Sequence, residues 1–238
     1  MTKLRISEIF GPTIQGEGAL IGKPTVFVRA GGCDYRCSWC DTLYAVDSQF
    51  RKDWTPMTTD EVWAQVQKLS NFKPLTISLS GGNPAIQNFS SLIGLSTDTG
   101  YDVAMETQGS IVQDWFSELD HLALSPKPPS ANIEFDQMKF AACVDAGPQG
   151  NTIMKIVVFD DEDYAWAQDM SERYPHLPLF LQAGNLSHID TEDVSEQPSE
   201  HAIERLRWLI DKTLTDDWFK PKILPQLHVM IWGNARGV

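Results

Sequence analysis

Apolar, β-rich runs alternate with amphipathic stretches along most of the chain, and that alternation predicts about six to eight strand–helix units around a mainly parallel sheet. Strands are expected at residues 25–30, 75–80, 103–106, 122–125, 153–159, 179–182 and 227–232, and helices near 112–119, 134–143, 161–173 and 199–213. Thr58 and Glu61 have capping-box spacing, and Val62, Val66 and Leu69 then recur on one helical face until Asn71 interrupts them. Asn83 before Pro84 reads as the cap of another helix. The segment 187–200, rich in Ser, Asp, Glu and Pro, reads as a solvated excursion and not as a boundary, so residues 1–238 are expected to form a single domain.

Nearly every polar cluster follows a strand. Gly31-Gly32 and a cysteine loop follow the strand at 25–30, which reads as the first, and Ser80-Gly81-Gly82-Asn83 follows the next. Glu106-Thr107-Gln108-Gly109, Ser125-Pro126-Lys127 and Gln182-Ala183-Gly184-Asn185 repeat the arrangement. Polar residues gathered at strand C-termini are what an α/β barrel needs for an active site.

Thirty-two acidic residues against nineteen basic ones give a net charge of −13, a field that repels polyphosphate backbones and anionic lipid surfaces. Neither nucleic acid nor membrane is expected as a partner. No apolar run of membrane-spanning length occurs and no signal-like segment follows Met1, so a cytoplasmic location is expected. Only four cysteines occur, three of them within eight positions, which fits metal ligation in a reducing compartment better than disulfides.

Cys33, Cys37 and Cys40 have the spacing C-x3-C-x2-C, short enough for one loop to wrap a [4Fe-4S] cubane with three thiolates. Three ligands leave one iron open to chelate the amino and carboxylate groups of S-adenosylmethionine, whose sulfonium can then be cleaved reductively. A structural zinc site normally takes four protein ligands, and no fourth Cys or His lies near this loop at finger-like spacing. Cys143, within Phe140-Ala141-Ala142-Cys143, reads as a buried small hydrophobe.

The three-cysteine loop, the strand leading into it and the later Gly-Gly turn resemble the radical S-adenosylmethionine superfamily. Gly11-Pro12-Thr13-Ile14-Gln15-Gly16-Glu17-Gly18, Cys40-Asp41-Thr42, Glu106-Thr107-Gln108-Gly109, Ser125-Pro126-Lys127-Pro128-Pro129 and Trp232-Gly233-Asn234-Ala235-Arg236-Gly237-Val238 narrow the resemblance to the 7-carboxy-7-deazaguanine synthase family, across nearly the whole chain. The resemblance implies an α/β fold, a partial or modified (β/α) TIM-like barrel. It implies conversion of 6-carboxy-5,6,7,8-tetrahydropterin to 7-carboxy-7-deazaguanine with loss of ammonia, a ring contraction driven by a 5′-deoxyadenosyl radical, on the route to queuosine.

Carried over residue by residue, the resemblance implies substrate contacts from Ile14, Gln15, Gly16, Arg29, Ser80 and Val238, with Arg29 facing the substrate carboxylate. It implies S-adenosylmethionine contacts from Trp39, Cys40, Asp41, Gly82, Ser125, Pro126 and Lys127, and a Mg2+ contact from Thr42. Glu106 and Gln108 are further candidates for the cofactor's ribose or methionine groups. Asn83 departs from the family, which often has Glu there. A homodimer and an electron donor such as flavodoxin or ferredoxin are also implied. An activating enzyme for glycyl-radical proteins shares the cysteine spacing and is the enzymatic alternative; a pure electron carrier normally saturates its cluster with four ligands.

Overall fold

A computed structural model describes residues 3–185 and 200–238. Its framework is one nine-stranded sheet in the order β3-β1-β2-β4-β5-β6-β7-β8-β9. The strands are β1 (Leu4–Ile14), β2 (Pro24–Ala30), β3 (Thr55–Met57), β4 (Thr76–Gly81), β5 (Asp102–Thr107), β6 (His121–Leu124), β7 (Thr152–Val158), β8 (Leu179–Ala183) and β9 (Lys222–Leu224). From β2 through β9 all neighbours run parallel, while β1 pairs antiparallel with both β2 and β3. The sheet does not close, since β3 and β9 form its two edges. The expected mixed α/β architecture of a partial barrel is therefore what the chain adopts.

The helices are α1 (Leu43–Val46), α2 (Thr59–Leu69), α3 (Ser90–Thr97), α4 (Gln137–Ala146), α5 (Asp161–Arg173), α6 (Glu200–Thr215) and α7 (Leu227–Trp232). The capping box at α2 is formed: the Thr58 hydroxyl accepts from the Glu61 N–H at 3.2 Å, and the Thr58 N–H donates to Glu61 Oε2 at 2.7 Å. Val62 and Val66 are then turned into the core, where they meet the inward residues of the sheet such as Val26, Val28, Ile77, Leu79 and Val103. Burying each such side chain contributes about 1.5–3 kcal/mol. Cys143 lies wholly in this core, as its apolar neighbours foretold.

The elements differ from expectation in several places. Residues 25–30 form the second strand; β1 precedes it, its alternation hidden by the Gly11-Pro12 pair and by two register irregularities against β2. Residues 227–232 are helical; five apolar residues around His228 carry no period that separates strand from helix. The ninth strand comes instead from Lys222–Leu224. Residues 112–119 supply only a 3-10 turn, Asp114–Glu118, and Asn83 caps only the 3-10 turn Pro84–Ile86, after which the unforeseen α3 begins. Of the expected excursion at 187–200, all but Glu200 lies outside the described residues, and Glu200 opens α6.

Candidate active site

The C-terminal ends of the parallel strands open into one cavity. β2 delivers the cysteine loop: its last residue pairs with Gly81 of β4, so the two following loops meet immediately beyond the sheet. Gly32 adopts φ +103°, the Asn83 N–H donates to the Gly32 carbonyl at 2.8 Å, and the Gly82 N–H donates to the Ala30 carbonyl at 3.1 Å. A Cβ on Gly82 would overlap the Gly32 carbonyl, so glycine is required there by the approach of the two loops.

Cys33, Cys37 and Cys40 are free, half-buried and all line this cavity. Burial pushes all three thiols up, Cys37 to about 11, with Lys127 the leading opposing influence at that residue. A bound iron reverses that balance, because the metal charge displaces the thiol proton. Among the described residues no three Cys, His, Asp or Glu side chains converge on a point that one ion could occupy. A cubane asks for something else, one thiolate on each of three separate irons, and three thiols spread along one cavity wall suit it.

Around the cysteine loop the cofactor candidates converge. Trp39 is held by its indole N–H, which donates to Ser130 Oγ at 3.0 Å, and by packing on Phe159 with ring centroids 4.8 Å apart. Lys127 donates to Ser125 Oγ at 3.1 Å and stands 5.7 Å from the Trp39 ring. Trp39, Cys40, Asp41, Gly82, Ser125 and Lys127 all line the cavity; Pro126 is buried beside it without lining it.

The substrate candidates share the same cavity. Ile14, Gln15, Gly16, Arg29, Ser80 and Val238 line it, as does Thr42, whose hydroxyl lies 3.8 Å from Cys40 Sγ. Gln15 donates to Ser78 Oγ at 3.4 Å and accepts from the Glu17 N–H at 3.3 Å. Gly16 is pressed against His228 and accepts from the Leu227 N–H at 3.0 Å, which ties the start of α7 to this end of the site. Arg29 is not a free cation: its Nε is paired with Glu8 at 2.7 Å, and its guanidinium lies between the rings of Phe10 and Tyr44. Its remaining N–H groups are the ones a ligand carboxylate could engage. The Ser80 hydroxyl is buried and has no hydrogen-bond partner among the described residues, and the residue is part of the cavity lining.

Two partnerships between side chains were not apparent in the sequence. Lys155 of β7 is 3% exposed and bridges Glu17 and Glu106, the latter at 2.6 Å. Gln226 donates to Glu17 at 3.0 Å, and His228 approaches it at 3.9 Å. Burial is the largest single influence on the Glu17 carboxyl and would raise it, but the charges of Lys155 and His228 and the hydrogen bonds from Lys155 and Gln226 together outweigh it and hold the group down at about 2, while Lys155 itself is raised by its two carboxylates against its own burial. The available signal was a lysine inside an otherwise apolar strand, since a fully buried lysine is almost always paired. The second group is formed by Asp34, Asn83, Thr107 and Gln108 beneath the cysteine loop. Asn83 is wholly buried and its amide is saturated by protein partners, so it braces this loop and is not open to a ligand.

An open, mainly parallel α/β sheet, with a three-cysteine loop at a strand's C-terminal end lining a cavity, defines a [4Fe-4S] enzyme of the radical S-adenosylmethionine class. Residues 14–113 match a family model described as a 4Fe-4S single cluster domain. A crystal structure of QueE from Escherichia coli superposes with a TM-score of 0.68 at 19% identity, covering 95% of each chain. The 7-carboxy-7-deazaguanine synthase of Bacillus cereus is 39% identical over 100% of both chains, and that of Bacillus subtilis is 39% identical over 98% of both. The chain belongs to the 7-carboxy-7-deazaguanine synthase family. These relatives do not favour the glycyl-radical activating alternative.

Proposed function

We propose that this chain converts 6-carboxy-5,6,7,8-tetrahydropterin to 7-carboxy-7-deazaguanine and ammonia, in queuosine and related deazapurine biosynthesis. The observation that carries the reading is a single cavity whose lining includes the three cysteines together with Gln15, Arg29 and Ser80. When bound, the cluster and S-adenosylmethionine supply a reductively generated radical at carbon. The protein holds the reactants. Cys33, Cys37 and Cys40 ligate the cluster; Trp39, Cys40, Asp41, Gly82, Ser125 and Lys127 surround the cofactor, with Pro126 shaping their loop.

Arg29, preoriented by Glu8 and two aromatic rings, receives the substrate carboxylate. Ile14, Gln15, Gly16, Ser80 and Val238 enclose the heterocycle, and the Glu17 carboxylate, kept ionised by Lys155, stands behind Gln15. Thr42 offers a hydroxyl oxygen to Mg2+ beside the substrate. The enzyme works as a homodimer in the cytoplasm and draws electrons from a low-potential carrier such as flavodoxin or ferredoxin. No described helix is long and apolar enough to cross a membrane.

Anaerobic reconstitution with iron and sulfide, followed by reductant, S-adenosylmethionine, Mg2+ and the carboxytetrahydropterin, tests the reading by mass spectrometry. Product that is lost in Cys37→Ala is the expected result. 5′-Deoxyadenosine formed without 7-carboxy-7-deazaguanine would remove the substrate assignment, and neither compound from a fully loaded protein would remove the activity.

A further inference from the structure

Gln108 follows β5 and is buried at the foot of the cysteine loop, 6% exposed. Its amide nitrogen lies 2.8 Å from Asp34 Oδ1 and 3.6 Å from Cys33 Sγ. An amide NH2 has two protons, so it can donate to both at once. The orientation is fixed by chemistry: Asp34 is an acceptor only, and turning the Gln108 oxygen toward it would set two oxygens against each other.

Asp34 is in turn fixed by Asn83. The Asn83 NH2 group donates to Asp34 Oδ1 at 2.8 Å and to Ser110 Oγ at 3.2 Å, while its oxygen accepts from Thr107 Oγ1 at 2.8 Å and from the Ala85 N–H at 3.1 Å. Thr107 Oγ1 also accepts from the Gly109 N–H at 3.3 Å, so the backbone is anchored on both sides of Gln108. Gly109 turns with φ +78° against the ring of Phe140, which seats the turn on the core. Three loops, those after β2, β4 and β5, therefore converge to aim one N–H at one cysteine sulfur, and the hydrogen bonds shared among Asp34, Asn83, Thr107 and Gln108 fix that geometry.

We propose that the Gln108 amide, positioned by Asp34 and Asn83, sets the reduction potential of the cluster through its hydrogen bond to the Cys33 sulfur. The inference rests on the reading of Cys33 as a cluster ligand. The couple is the one-electron reduction of the cubane from 2+ to 1+, with the electron supplied by an external low-potential reductant, dithionite in the assay below. The added electron places more negative charge on the sulfurs, so an N–H donor stabilises the reduced state more than the oxidised one and raises the potential. The Tyr35 N–H, 3.4 Å from the same sulfur, contributes a second donor that no side-chain substitution removes.

The experiment is a redox titration of anaerobically reconstituted protein, followed by electron paramagnetic resonance, on the native chain and on Gln108→Met, which keeps the bulk and removes the donor. At the potential that half-reduces the native cluster, the variant is expected to show a reduced-to-oxidised ratio about tenfold lower, a shift of about 59 mV to more negative potential for one electron. An unchanged midpoint in a variant carrying four irons per chain overturns the proposal. The native protein provides a second measurement that does not depend on the variant folding. With 15N in the glutamine side-chain amides, electron–nuclear double resonance of the reduced cluster is expected to find a coupled nitrogen and an exchangeable proton; their absence overturns the proposal equally. A native chain that yields no cubane signal at all removes the cluster reading and this one together, whereas a native signal insensitive to Gln108 removes this one alone.

Discussion

Lys155 is the residue on which the substrate end of the site depends. It stands between two carboxylates from different elements, and the pair is buried, with Glu17 only 16% exposed. Glu17 titrates lower in the folded chain, so its contribution to stability is present above its ordinary value of 4.5 and is lost as pH falls toward about 2. Lys155 titrates higher when folded, so its contribution is present below its ordinary value of 10.5 and is lost as pH rises beyond it. Between those limits the bridge is intact. Lys155→Met leaves Glu17 and Glu106 facing each other without a buried cation, apart from the approach of His228, and is expected to cost about 3–5 kcal/mol at neutral pH. The pH dependence should also reverse: with Lys155 gone, burial is opposed only by His228 and Gln226, so Glu17 titrates above 4.5 and the variant gains stability on acidification. Urea unfolding at pH 5 and pH 8 checks this, and a variant equally stable at both would show that Lys155 does not govern Glu17. A second test concerns Asn83. Asn83→Glu points a carboxylate at Asp34 across 2.8 Å and should destabilise the cluster loop, while adding Asp34→Asn should restore much of the loss. Strictly additive costs in thermal unfolding would deny that the two side chains interact.

At the level of elements, the loops after β2 and β4 act as one unit because glycine lets their backbones touch. Gly82→Ala places a methyl where the Gly32 carbonyl lies, so the cysteine loop must shift, and iron content after reconstitution is expected to fall by well over half. A variant that loads four irons would show that the contact yields cheaply. The α2 capping box provides the contrast: Thr58→Ala removes one cap far from the cysteines and should cost about 1 kcal/mol in unfolding with iron content unchanged. That box was legible because a cap is a local pattern of side chain and spacing. The strands β2 and β4 to β8 were legible for the same reason, as were the positions of the polar loops behind them. β1 was not, since Gly11-Pro12 breaks the alternation while Gly11 itself, at φ +120°, is what lets β1 approach β2. Residues 227–232 suit a strand as well as a helix, because five apolar residues around His228 fit either period; in the structure they are helical and His228 packs against Gly16. The cysteines and the family's motif residues could be found by spacing, whereas Lys155 with Glu17, and Asp34 with Asn83 and Gln108, are partnerships across more than 48 positions that spacing does not encode.

On the scale of the whole molecule, the open sheet poses a problem of enclosure: β9 and the β3–β1 pair lie at opposite edges, and no strand joins them. Residues 226–238 return from the β9 edge to the β1 side and span that opening. Gln226 bonds Glu17, the Leu227 N–H bonds the Gly16 carbonyl, and Arg236 lies 3.4 Å over the Tyr44 ring and 3.7 Å from Glu8, the carboxylate that also holds Arg29. Side chains thus enclose the cavity where hydrogen-bonded strands do not, and the residue proposed to grip the substrate carboxylate shares its partner with the closing segment. The cluster loop takes no part in these contacts, so closure and cluster binding should separate experimentally. Arg236 is exposed enough that its ion pair contributes little, and its stacking on Tyr44 is the larger interaction. Arg236→Ala is therefore expected to raise KM for the carboxytetrahydropterin by about tenfold, equivalent to about 1.4 kcal/mol, with iron content and cofactor cleavage unchanged. Steady-state kinetics alongside iron analysis decides the matter: an unaltered KM means that the segment only covers the site, and lost iron means that it supports the cysteine loop after all.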